Sequence, residues 1–149
     1  MSGFPPAPTA QFGTEILVIE LALATMLVVG MFVVRLGHVR AHWAIQSSIV
    51  LLNIPIVLSV MAPYYWADVL PGLPGYLGTS FYLFPTLMLV AGATAEALGV
   101  YIILVAGTNL VPERFRFRRY KLWMRTELIL WWAVVLAGIA TYYAWWIQV

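Results

Sequence analysis

The sequence contains no cysteine, which excludes disulfides, thiolate metal sites and thiol chemistry together. Charge is nearly as scarce. Only 9% of the 149 residues are Asp, Glu, Lys or Arg, against roughly a quarter in a soluble domain. Histidine is limited to His38 and His42, both beside one short connection, so ligands for an internal bis-histidine haem do not come from facing helices. There is no Ser nucleophile with a base, no phosphate-binding Gly loop and no carboxylate pair at useful spacing. The sequence therefore predicts no catalytic residue and no enzyme activity for the chain alone. The opening "MSGFPPAPTAQFGTE" lacks the basic start and apolar core of a cleavable signal peptide. Residues 1–14 read as an extended, Pro-rich arm, and no internal repeat is visible.

What is plentiful is apolar: 63% of the residues are hydrophobic and the mean hydropathy is +0.91. A helix needs about 20 apolar residues to cross the hydrocarbon of a bilayer. Four runs meet that length, at 15–36, 44–63, 81–109 and 128–147. They are continuously apolar, whereas a barrel strand alternates over about ten residues. The expectation is an all-α, integral membrane four-helix bundle, multi-pass in the inner membrane of a bacterium.

The stretch "VPERFRFRRYKLWMRTE" holds six of the eight basic residues: Arg114, Arg116, Arg118, Arg119, Lys121 and Arg125. The other two, Arg35 and Arg40, flank the first connection, so all eight sit at one end of the bundle. The other end carries the arm and the loop "YYWADVLPGLPGYLGTS", with Glu15 and Asp68 as its only charges. Basic loops stay in the cytoplasm, which predicts both termini on the non-cytoplasmic side. Aromatic belts agree, with Tyr64, Tyr65, Trp66, Tyr142, Tyr143, Trp145 and Trp146 at the outer interface and Trp43 and Trp123 at the inner one. The basic stretch reads first as a topology lock. Its interleaved aromatics also suit anionic lipid heads or an acidic partner surface. Nucleic acid is not an expected partner, since no module for it is present.

Ionisable groups at bilayer depth are expensive, so each is a candidate site. Glu96 is the sharpest, in "AGATAEALG" with Gly92 four residues before it and Gly99 three after, on one face of the third helix. Two roles compete for it: a polar contact that joins helices, and a proton relay or a contact to haem or quinone. His38, His42, Gln46 and Asn53 form a second polar row descending one face of the second helix. Asn53 is expected at the depth of Glu96. The row fits a hydrated half-channel, but the favoured reading has Asn53 or Ser59 repairing the backbone defect that Pro55 creates at Leu51. Glu20 is expected to reach back to the outer interface and Glu127 to sit at the inner one. His38 and His42 have metal-compatible i, i+4 spacing but lack a third ligand, so no metal is expected, and contact with lipid phosphate is the preferred account. Ala133, Ala137, Ala140 and Ala144 join Gly92 and Gly99 as helix-packing positions. Trp131 and Trp132 are read as facing lipid or a partner.

The segment "VRLGHVRAHWAIQSSIVLLNIPIVLSV", and later "KLWMRTELILWWAVVLAGIATYY", resembles the YozB-like family of small bacterial membrane proteins over about Gly30 to Tyr143. The likeness lies in a basic, His-containing turn before the second helix, a small-residue third helix, an Arg-rich connection and an aromatic-rich closing helix. The resemblance implies a non-enzymatic helper in the biogenesis of haem-copper terminal oxidases. His42 matches the family pattern, while Glu96 and Tyr120 stand where family members tend to have histidine. The combined expectation is an accessory subunit or assembly factor of a respiratory or photosynthetic electron-transfer complex, binding no cofactor by itself and acting through helix packing. Its partners would be lipids and a larger integral membrane complex. The rival expectation is a small proton-conducting or transport protein that uses Glu96, Asn53, Gln46 and His42.

Overall fold

The computed structural model describes residues 9–147. Those residues are almost wholly helical, without a strand among them. Four helices are long and apolar enough to cross a membrane: α1 (Ala10–Arg35), α2 (Val39–Gly72), α3 (Ser80–Gly107) and α4 (Tyr120–Trp146). They fit a multi-pass membrane protein.

Three of the helices, α1, α2 and α4, run well past the apolar segment that predicts them, whereas α3 matches its segment to within two residues. Helix α1 begins at Ala10, where Thr9 caps it by accepting from the Phe12 amide at 3.2 Å. The last five residues of the expected arm are thus helical, and the remainder of that arm, residues 1–8, lies outside the described residues. Between α1 and α2 the chain reverses in three residues, and the reversal needs Gly37, whose φ of 88° is disfavoured for other residues.

Helix α2 corrects the expected loop after Pro63. It stays helical to Gly72, loosening into π-helical turns at Val57–Met61 and Tyr65–Val69 and closing with a 3-10 turn at Leu70–Gly72. Pro55 precedes the first loosened turn, as expected where proline removes a backbone donor. Helix α4 begins at Tyr120, eight residues before the predicted Leu128.

Around the bundle α1 packs on α2 and α4, and α3 on α2 and α4. The central core joins Leu27, Ile49, Val50, Ala95 and Trp131. Trp131 is thus an inward residue, correcting its expected lipid-facing placement. Hydroxyls along the spans bond their own helix: Thr25 donates to Leu21 O, Thr94 to Val90 O and Thr141 to Ala137 O. Such bonds satisfy a hydroxyl without solvent, as a membrane-spanning helix would require.

The aromatic end is closed by ring packing. Trp145 stacks on Phe81 and donates to its carbonyl at 3.1 Å, while the Trp146 ring lies over Gly13. Thr14 and Tyr142 join α1 to α4 through their hydroxyls at 2.8 Å. At the basic end, Arg116 folds the α3–α4 connection, donating to the carbonyls of Val111 at 2.9 Å and Thr108 at 2.7 Å. The Tyr101 hydroxyl donates to Phe115 O from α3, and Phe117 packs among Tyr101, Tyr120 and Trp123.

Candidate functional site

All four helices send a polar side chain into the bundle. Asn53 of α2 donates through Nδ2 to Glu96 Oε2 of α3 at 2.9 Å. Asn53 is therefore a partner of Glu96 and does not repair the Pro55 defect. Ser59 does bond near that defect, but to Pro55 O rather than to Leu51 O.

Two further carboxyls join them. Glu20 of α1 is only 5% exposed, a correction to its expected reach to the interface. The physical reason is the early start of α1: Glu20 lies ten residues inside the helix, roughly 15 Å from its end. Glu127 of α4 is buried as well, because α4 starts a full two turns before it. Its Oε1 accepts from Trp131 Nε1 at 2.9 Å, and the same oxygen lies against Gly99, where an added Cβ would stand 2.7 Å from it. Glu20 and Glu127 each interact electrostatically with Glu96. Glu20, Glu96 and Glu127 come from three different helices, so their common placement inside the bundle does not show in spacing along the sequence.

Measured along each helix from the basic end at about 1.5 Å per residue, Glu127 lies ~10 Å in, Glu96 ~16 Å, Asn53 ~21 Å and Glu20 ~22 Å. By these counts Glu127, Glu96 and Glu20 form a staircase through the middle of the bundle, with Asn53 bonded beside Glu96. Glu20 Oε1, Asn53 Oδ1, Glu96 Oε1 and Glu127 Oε2 are buried without a protein partner, as is Ser47 Oγ. Unsatisfied oxygens buried in a bundle are costly enough to require a reason.

A cavity adjoins each end of the staircase. The one nearer the aromatic end, about 160 Å³, has Glu20, Asn53, Thr141 and Tyr142 among apolar walls. The other, about 310 Å³, is nearer the basic end and is lined by His42, Gln46, Ser47 and Glu127, with Arg35, Lys121 and Arg125.

The polar row of α2 divides. His38 is exposed at the helix start. His42 is buried, with Nδ1 2.8 Å from Gly30 O, and Gln46 donates to Leu27 O at 3.2 Å. A carbonyl only accepts, so Nδ1 of His42 carries the hydrogen. The i, i+4 pair is thereby split between surface and interior. Among the described residues, no three His, Asp or Glu side chains are placed to hold a metal ion.

The packing glycines are unequal. Gly99 is buried between Glu127 and Val50, whereas a Cβ on Gly92 would meet Val134 at an ordinary 3.8 Å. Among the alanines, Ala144 is buried, Ala137 and Ala140 are partly covered, and Ala133 faces outward. Of the six basic side chains in the α3–α4 stretch, Arg116 is the one turned into the connection, and Arg114, Arg118, Arg119, Lys121 and Arg125 are exposed.

Comparison with known proteins returns no match: no family model fits the chain, and no curated protein or solved structure matches it.

Proposed function

We propose that this chain is a small membrane protein that relays protons through its own bundle, with Glu20, Glu96 and Glu127 as the carriers and Asn53 holding Glu96 in place. One observation carries the reading: three carboxyls from three helices form a stepped series between two cavities. Side chains that both give and accept a proton are what such a path requires. His42 and Gln46 line the cavity nearer the basic end. On the positive-inside rule this end faces the cytoplasm, which in this proposal is that of a bacterium.

A second reading, an accessory subunit or assembly factor of a membrane electron-transfer complex, is favoured by the resemblance to YozB-like proteins. It is also favoured by the exposed apolar side chains beside the basic stretch, Leu110, Phe115, Leu122 and Trp123. The two are compatible, since a relay subunit can work within a larger assembly.

The test is proton flux into liposomes holding the purified protein, driven by a potassium diffusion potential and read with an entrapped pH dye. The original chain should acidify the lumen faster than protein-free liposomes, and Glu96→Gln should return the rate to that baseline. Equal rates for the two proteins would sink the relay. If Glu96→Gln instead changes only the size of the complex extracted from native membranes, the accessory reading takes its place.

A further inference from the structure

The cavity nearer the basic end combines two chemistries that the relay does not need together. Arg35 from the end of α1 and Lys121 and Arg125 from the first turns of α4 line it, and all three are exposed. Its remaining walls include the apolar side chains of Leu27, Met31, Ile102 and Leu128. Three cations contributed by two helices surround an anion more effectively than one basic loop does. At about 310 Å³ the space is nearly twice that of the other cavity, and far larger than the roughly 30 Å³ that one water occupies in the liquid.

We propose that this cavity is a binding site for an anionic phospholipid. The phosphate lies among Arg35, Lys121 and Arg125, and the first part of an acyl chain enters along Leu27, Met31, Ile102 and Leu128. Basic pockets between membrane helices on the cytoplasmic side suit such headgroups, because the surrounding low dielectric strengthens the attraction while apolar walls accept the chain. Glu127 also lines the cavity; its Oε1 accepts from Trp131 Nε1 while its Oε2 has no protein partner, and the three cations outnumber this one carboxyl. Trp43, another lining residue, packs its indole over Gly107 and so closes the space between α2 and α3. The proposal rests on charge and shape alone and stands whether or not protons cross the bundle.

The experiment places the full-length protein in nanodiscs of mixed phosphatidylglycerol and phosphatidylcholine, followed by a delipidating wash and native mass spectrometry. Phosphatidylglycerol should stay bound in preference to phosphatidylcholine. The double variant Lys121→Ala/Arg125→Ala should lower its retention roughly tenfold or more. Arg118→Ala/Arg119→Ala removes the same charge outside the cavity and should leave retention near the original. Equal losses in the two double variants would reduce the effect to diffuse surface charge and overturn the site. Equal retention of the two lipids by the unsubstituted protein would overturn it without reference to any variant. Displacement of the lipid by millimolar inorganic phosphate would also overturn it, showing a free-anion site.

Discussion

Gly92, Glu96 and Gly99 show how three residues on one helix face lead to separate chemistry. Gly99 is where α3 comes closest to Glu127 and Val50, with an added Cβ only 2.9 Å from Val50 Cγ2. Valine is short and stiff at χ1, so it has little room to yield. Gly99→Ala should therefore lower the thermal stability of the detergent-solubilised protein by roughly 1–3 kcal/mol. Gly92→Ala should be neutral or stabilising by up to about 1 kcal/mol, because its neighbour is at ordinary contact distance and alanine is the better helix former. Equal destabilisation by both would contradict the packing described. The sequence makes these two glycines look alike, and it places Glu96 and Asn53 at similar depth from residue counts alone. It does not reveal Glu20 and Glu127 as members of the same group. Their depth depends on where α1 and α4 begin, and both helices begin before the apolar run, in stretches of mixed polarity that hydropathy does not mark as spans. The pairing of Glu127 with Trp131 at i, i+4 was the one local signal available.

Among the elements, α2 departs furthest from an ideal span. At about 1.5 Å per residue its 34 residues would reach ~50 Å, well beyond the ~30 Å of hydrocarbon. The two π-helical turns fall in its second half, after Pro55, and its last turns carry Tyr65, whose hydroxyl lies 3.2 Å from that of Thr86 on α3. Hydropathy ends the span at Pro63 because the next residues are aromatic and proline-rich, yet these fold as a helical continuation held by neighbouring side chains. The α3–α4 connection makes the opposite point. Its composition suggests a solvated basic loop, but Arg116 fastens it to Val111, Thr108 and Asn109, while the exposed Arg114 stacks on Phe115. Arg116→Ala should therefore raise the rate of tryptic cleavage after Arg118 and Arg119 several-fold, on the order of the population opened by losing these bonds. Arg114→Ala should leave that rate nearly unchanged, and a similar acceleration in both would show that Arg116 does not hold the connection.

On the scale of the whole molecule, the four-helix architecture was the most legible property, because continuous apolar length decides it and tertiary detail does not. Which end faces which compartment rests on the arrangement of charge, and the lack of cysteine makes it simple to measure. Gly78 has open space around its Cβ position and lies in the turn between α2 and α3, while Asn109 is exposed just past the other end of α3. In intact cells, Gly78→Cys should react with a membrane-impermeant maleimide and Asn109→Cys should react only after permeabilisation. The reverse pattern would invert the orientation that the arrangement of charge predicts.

The first turn of α1 and the last turn of α4 are already neighbours, with the Trp146 ring over Gly13 and Thr14 bonded to Tyr142. A short covalent linker between these turns would close the polypeptide into a ring, and cutting that ring near Asn109 would give a circular permutant with the same four helices in the same mutual contacts. Its new termini would emerge beside the arginines instead of beside the tryptophans. Such a rearranged chain would separate two influences on insertion that coincide in the natural order: the order in which the spans are made and the side on which positive charge accumulates.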